Sequence, residues 1–108
     1  MIQMTATALP SFGTEPHLPD LPFDEYRQRL DEVVRRMGER SIDVLVVYAD
    51  REHAANLEFL TGFDPRFEEA LLFVAKSGDR LLLVGNECMG YLPDERLDIR
   101  VELLQELS

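Results

Sequence analysis

Two histidines, one lysine, one cysteine and no tryptophan are all that this chain of 108 residues offers of those types. A dinuclear metal site draws on about four or five carboxylate and imidazole ligands on one rigid frame. His17 and His53 stand in unrelated stretches, so no imidazole cluster is expected. The adjacent pairs Glu68-Glu69 and Asp94-Glu95 do not replace one, because neighbours on a strand point to opposite faces. No metal site and no cofactor are therefore expected in this chain.

The lone Cys88 excludes an internal disulfide and implies no oxidising compartment. Without a positioned base it is read as a small buried hydrophobe rather than a nucleophile. Ser11, Ser41, Ser77 and Ser108 lack the G-x-S-x-G setting of an activated serine. Neither G-x-G-x-x-G nor G-x-x-x-x-G-K-[ST] occurs, so both phosphate cradles are missing. Apolar runs are short: Val44 to Ala49 and Ala70 to Ala75 are too brief to span a bilayer. No basic segment followed by an apolar stretch opens the chain, so a secretory signal is not read there and a cytoplasmic location is expected.

Positive charge is scarce as well. The formal net charge is -10 and the sequence pI about 4.5. Such a surface repels phosphate backbones and anionic membranes, so neither nucleic acid nor membrane is an expected partner.

Hydrophobic residues make up 45% of the chain, enough for one core in one domain. Residues 1–22 differ from the rest, with Pro10, Pro16, Pro19 and Pro22 and with Gly13 among them. Proline withholds a donor and disfavours helix in the residue before it, so an extended, flexible arm is expected there. Residues 23–108 form the expected domain.

Asp24 is placed to cap a helix whose apolar stripe is Tyr26, Leu30, Val33, Val34 and Met37, with Gly38 near its stop. Ile42 to Tyr48 reads as a strand buried on both faces, because Val44 to Val47 are all apolar. Asp50 ends it and can cap a short helix reaching Leu60, with Ala54, Leu57 and Leu60 inward. Gly62 then suits a left-handed helix end. Phe63 to Glu69 is a loop. Ala70 to Ala75 and Arg80 to Val84 flank Ser77-Gly78-Asp79 as a hairpin. A short helix around Cys88 to Leu92 is followed by an alternating edge strand at Leu97, Ile99 and Val101, and a further helix begins near Leu103. This order predicts a three-layer α/β domain with a mixed β-sheet flanked by helices. The abrupt ending suggests a piece cut from a longer protein.

The segment Asn56-Leu57-Glu58-Phe59-Leu60-Thr61-Gly62-Phe63 resembles the N-x-x-(Tyr/Phe)-Leu-Thr-Gly-Phe stretch of the N-terminal domains in the creatinase/prolidase/aminopeptidase P family. Its neighbours are similar too: an amphipathic helix, an apolar strand introduced by Ile42-Asp43, and a hairpin at Ala70 to Val84. The likeness spans about residues 23–103. Physically, Asn56, Leu60, Thr61 and Gly62 serve a helix end and turn, with Asn56 able to cap backbone groups and Phe59, Leu60 and Phe63 able to pin the helix end to the core.

The resemblance implies a non-catalytic domain placed before a pita-bread catalytic domain that holds two divalent metal ions, absent here. It implies a homo-oligomer formed through this domain and contact with that C-terminal domain. By that analogy Phe63, Arg66 and Phe67 are the candidates for substrate or subunit contact, and an Arg between aromatics suits carboxylate recognition. The parent is then an Xaa-Pro peptidase. Two other readings stay open: a free-standing acidic interaction or sensing domain, and a receiver-like switch, since Val44 to Asp50 also resembles the first strand of a receiver domain. A receiver further needs a phospho-accepting Asp and a late Lys. Here Lys76 stands alone before a hairpin turn.

Overall fold

The computed structural model describes residues 1–13 and 21–108. Of the arm expected over 1–22, residues 14–20, including Pro16, His17 and Pro19, lie outside the described residues. Residues 1–13 carry no regular secondary structure, and their side chains are exposed.

Helix α1 spans Phe23–Glu39. Asp24 is not its cap: Pro22 takes that position, and Asp24 and Glu25 sit in the first turn. Carboxylates are favoured there by the exposed amides of the helix start. The helix also runs past Gly38, which keeps helical geometry. The chain turns at Ser41, whose φ is 56°. Leu30 and Met37 are buried on the inner face, and Tyr26, Val33 and Val34 pack beside them.

Strands β1 (Val44–Ala49), β2 (Ala70–Ala75), β3 (Arg80–Val84) and β4 (Arg100–Leu103) lie in the order β1-β2-β3-β4. The first three are antiparallel, with Val46 opposite Phe73 and Phe73 opposite Leu81. β4 runs parallel to β3, with Leu82 opposite Val101. A parallel return needs a crossover. Residues 85–99 supply it through two 3-10 turns, Glu87–Gly90 and Glu95–Leu97. Leu97 is therefore a fully buried residue of a turn rather than part of the edge strand. Near the chain end a 3-10 turn at Gln105–Leu107 buries Leu107.

The mixed sheet with helices is as expected, but its two faces differ. One face carries Leu45, Val47, Ala49, Ala70, Leu72, Val74, Leu82 and Val84, and it meets Leu30 and Met37 of α1 and Leu57 and Leu60 of α2 (Ala55–Thr61). The opposite face carries Val44, Val46, Tyr48, Leu71, Phe73, Leu81 and Leu83. Val44, Val46 and Tyr48 are 52%, 49% and 46% exposed. β1 is thus not buried on both faces. Its unbroken apolar run marks what both faces are made of, whereas burial depends on which face the helices reach. Helices and sheet form two layers, and a third layer on the far face is not supplied by the described residues.

Candidate functional site

The helix α2 end is built as its sequence requires. Thr61 is buried. Its Oγ1 donates to the Leu57 carbonyl at 2.8 Å and accepts from the Phe63 amide at 3.1 Å. Gly62 follows at φ 70°, and its amide donates to the Glu58 carbonyl. A Cβ at Gly62 would stand 3.0 Å from Tyr26 Cζ. The backbone angle therefore calls for glycine, and any larger residue would also push the Tyr26 ring aside. Leu60 is buried. Asn56 does not cap α2: Ala54 holds that position without a side-chain bond, and Asn56 lies exposed in the first turn. Phe59 is not a core anchor either. It is 56% exposed, and the Arg29 guanidinium lies 4.1 Å from its ring centroid and donates to its carbonyl.

Beyond Gly62 the chain makes a loop that buried groups fix at several points. Phe63 is 3% exposed and packs on Tyr91, with ring centroids 5.9 Å apart. The Pro65 carbonyl accepts from the Tyr91 hydroxyl at 3.2 Å. Glu68 is buried, and its two carboxylate oxygens each accept at 3.1 Å, from the amides of Glu87 and Cys88. Between these anchors Arg66 stands at φ 61°, its amide donating to Asp64 Oδ1. Its guanidinium lies over the Tyr91 ring at 4.8 Å. Phe67 is 64% exposed. The structure thus brings Phe63 and Arg66 together on Tyr91. Phe63 supports the loop from inside, while Arg66 and Phe67 are at the surface.

Burial works to raise the Glu68 carboxyl, but hydrogen bonding from the amides of Glu87 and Cys88 and from the Cys88 and Ser108 side chains outweighs it and holds it below its ordinary value. A carboxylate favoured by the fold stabilises fully above its unfolded pKa and loses that contribution as pH falls through its lower folded value. Stability should therefore drop as pH falls below about 4.5. Glu68→Gln keeps the shape without the charge. Its thermal midpoint should lie lower at pH 7 and change less between pH 5 and pH 3, as melting curves across that range would show. Glu68→Ala leaves both amides unpaired and should lower the midpoint by roughly 10 °C.

Cys88 is fully buried, and burial together with the nearby Glu68 carboxylate raises its thiol pKa. It is a packing residue, its Sγ 3.6 Å from the Pro65 carbonyl. Burial and the contact with Cys88 push the Tyr91 hydroxyl up to about 12. Neither group is set for proton transfer near neutral pH. Among the described residues no group of three or more His, Cys, Asp or Glu side chains could hold a metal ion. A receiver-like switch does not fit this geometry. β1, β2 and β3 are antiparallel, Asp50 Oδ1 is engaged by Glu52 and His53, and Lys76 pairs with Asp43. No helix among the described residues is long and apolar enough to cross a membrane.

Sequence reasoning missed Tyr91 and Glu68. Glu68-Glu69 reads as a surface pair, yet only Glu69 is exposed. A signal was present in Gly85-Asn86-Glu87, a turn that frees amides for a carboxylate. A Cβ at Gly85 would stand 2.6 Å from Glu68 Oε2.

The family model of the creatinase/prolidase N-terminal domain matches residues 29–98. No curated protein matches the chain. Among solved structures, it is similar to an Xaa-Pro aminopeptidase from Streptococcus pyogenes, with a TM-score of 0.61 and 20% identity over 76% of this chain. It is also similar to the N-terminal, creatinase/prolidase-like domain of a protein assigned as a metallopeptidase in Corynebacterium diphtheriae, with a TM-score of 0.58 and 16% identity over 74%. At these identities the likeness shows the fold alone. The chain spans 58% and 60% of the two structures' lengths.

Proposed function

Because the chain belongs to the creatinase/prolidase N-terminal domain family, we propose that it is the non-catalytic N-terminal domain of a proline-specific metallopeptidase, contributing to assembly and to shaping substrate access. The two divalent ions of such an enzyme would be held by a catalytic domain outside this chain.

The observation that carries the reading is Arg66. A left-handed backbone costs a side-chain-bearing residue about 1–2 kcal/mol. Such strain is tolerated where the surroundings fix it, and it concentrates at working sites. Here Phe63, Pro65 and Glu68 fix the loop, and Arg66 and Phe67 remain at its surface. A guanidinium resting on a ring beside an exposed aromatic suits a peptide carboxylate or the rim of a neighbouring subunit.

Protein immunopurified from its source and supplied with manganese should hydrolyse Xaa-Pro peptides, while the isolated chain should not. Arg66→Gly relieves the backbone strain and gives up the stacking, so stability should stay within about 1 kcal/mol of the parent's. The same change, or Phe67→Ala, should raise KM for Xaa-Pro peptides several-fold with kcat little altered. An unchanged KM in both variants would remove the loop from substrate access.

A further inference from the structure

We propose that two copies of this chain exchange their N-terminal segments, each adding residues 1–13 as an extra strand along the free edge of the other's β1. The inference deepens the assembly role proposed above and rests on that part of it alone.

Among the described residues β1 pairs with β2 on one side only. The Asp43 carbonyl accepts from the Lys76 amide, so odd-numbered residues of β1 exchange bonds with β2. Val44, Val46 and Tyr48 therefore turn their amides and carbonyls to the open edge. An apolar edge strand of this kind is a template for strand addition.

Along that edge lies a groove of about 350 Å³ between β1 and α2, lined by Leu45 to Tyr48 and by Asn56, Phe59 and Leu60. Such a cleft beside an edge strand gives one side of an added strand an apolar seat. Asn56, which does not cap the helix, supplies an amide at its wall.

The same chain carries a segment that fits. In Ile2 to Ala8, apolar and polar residues alternate: Ile2, Met4, Ala6 and Ala8 against Gln3, Thr5 and Thr7. Period two is the pattern of a strand with one apolar side. Residues 1–13 contain no Asp, Glu, Lys, Arg or His, in a chain that is 30% charged. A net charge of -10 works against close approach of two copies, and a segment without acidic side chains is the part that can cross to a partner with least repulsion. In the single chain its large apolar side chains are exposed among the described residues: Ile2, Met4, Leu9 and Phe12 are 92–97% exposed. Two arms entering two grooves make a closed, two-fold arrangement.

Sedimentation equilibrium of the full chain should give about 25 kDa, twice the 12.4 kDa of one copy. Deleting residues 1–13 removes the donor. Val46→Pro removes an outward amide without removing a β2 bond, and Phe59→Glu charges the groove. Each variant alone should sediment as a monomer. Mixing the deleted chain, which keeps the groove, with the Val46→Pro chain, which keeps the arm, should restore a heterodimer. A deleted chain that still dimerises overturns arm exchange and leaves assembly through another surface standing. A monomeric full chain at about 100 μM, well above the Kd of ordinary specific pairs, overturns both arm exchange and self-assembly. It leaves the peptidase reading to its own assay.

Discussion

Leu72→Ala is expected to destabilise the domain by about 2–5 kcal/mol, while Phe73→Ala, one residue along the same strand, costs about 1 kcal/mol. Leu72 has no exposure and sits opposite Leu82 in the core, below α1 and α2. Phe73 stands on the other face, half-buried among Val46 and Leu81. Truncation at Leu72 leaves a cavity that close-packed neighbours cannot fill. Truncation at Phe73 removes contacts on a face that the described residues leave open. The larger loss would consume much of the stability of an ordinary small domain, about 5–15 kcal/mol. Urea midpoints at constant slope would show the difference. Equal losses at the two positions would mean that both faces are packed, contrary to a sheet covered by helices on one side.

Gly62→Val should be the most damaging change outside the core, at about 2–3 kcal/mol. A β-branched residue at φ 70° is strained by itself, and its Cβ would meet the Tyr26 ring at 3.0 Å. The two causes can be separated. In the Gly62→Ala background, Tyr26→Leu should cost less than it does in the parent chain, because the smaller side chain relieves the contact. Gly38→Ala is the control. Gly38 lies inside α1, and a Cβ there would meet nothing within 4 Å, so helix propensity should make this change stabilising by about 0.5–1 kcal/mol.

Much of this fold could be read from local chemistry. The stripe Tyr26, Leu30, Val33, Val34 and Met37 gave α1, the turn Ser77-Gly78-Asp79 gave the β2–β3 hairpin, and Gly62 gave the left-handed end of α2. Each is decided by residues close in sequence. What was less legible depended on partners far away. The one-sided burial of β1 follows from where α1 and α2 lie, and no pattern within Val44 to Ala49 contains that. α1 starts at Phe23 with Pro22, not Asp24, at the cap position, and Pro22 caps without a side-chain bond, so a capping residue type alone did not locate the helix start. The site shows the same division. Phe63, Arg66 and Phe67 were named through the family resemblance and not through a local pattern. That the partner of Phe63 would be Tyr91, and that Glu68 would be buried on two amides, depended on residues roughly 20 to 30 positions downstream.

An accessory domain of a larger peptidase has to be made as part of a longer polypeptide, so the mass of the native protein is the most direct test. An antibody raised against residues 21–108 should detect a species of roughly 40 kDa or more in the source, enough for a second domain of ordinary size. A single species at the 12.4 kDa of this chain would contradict that role and identify a free-standing module.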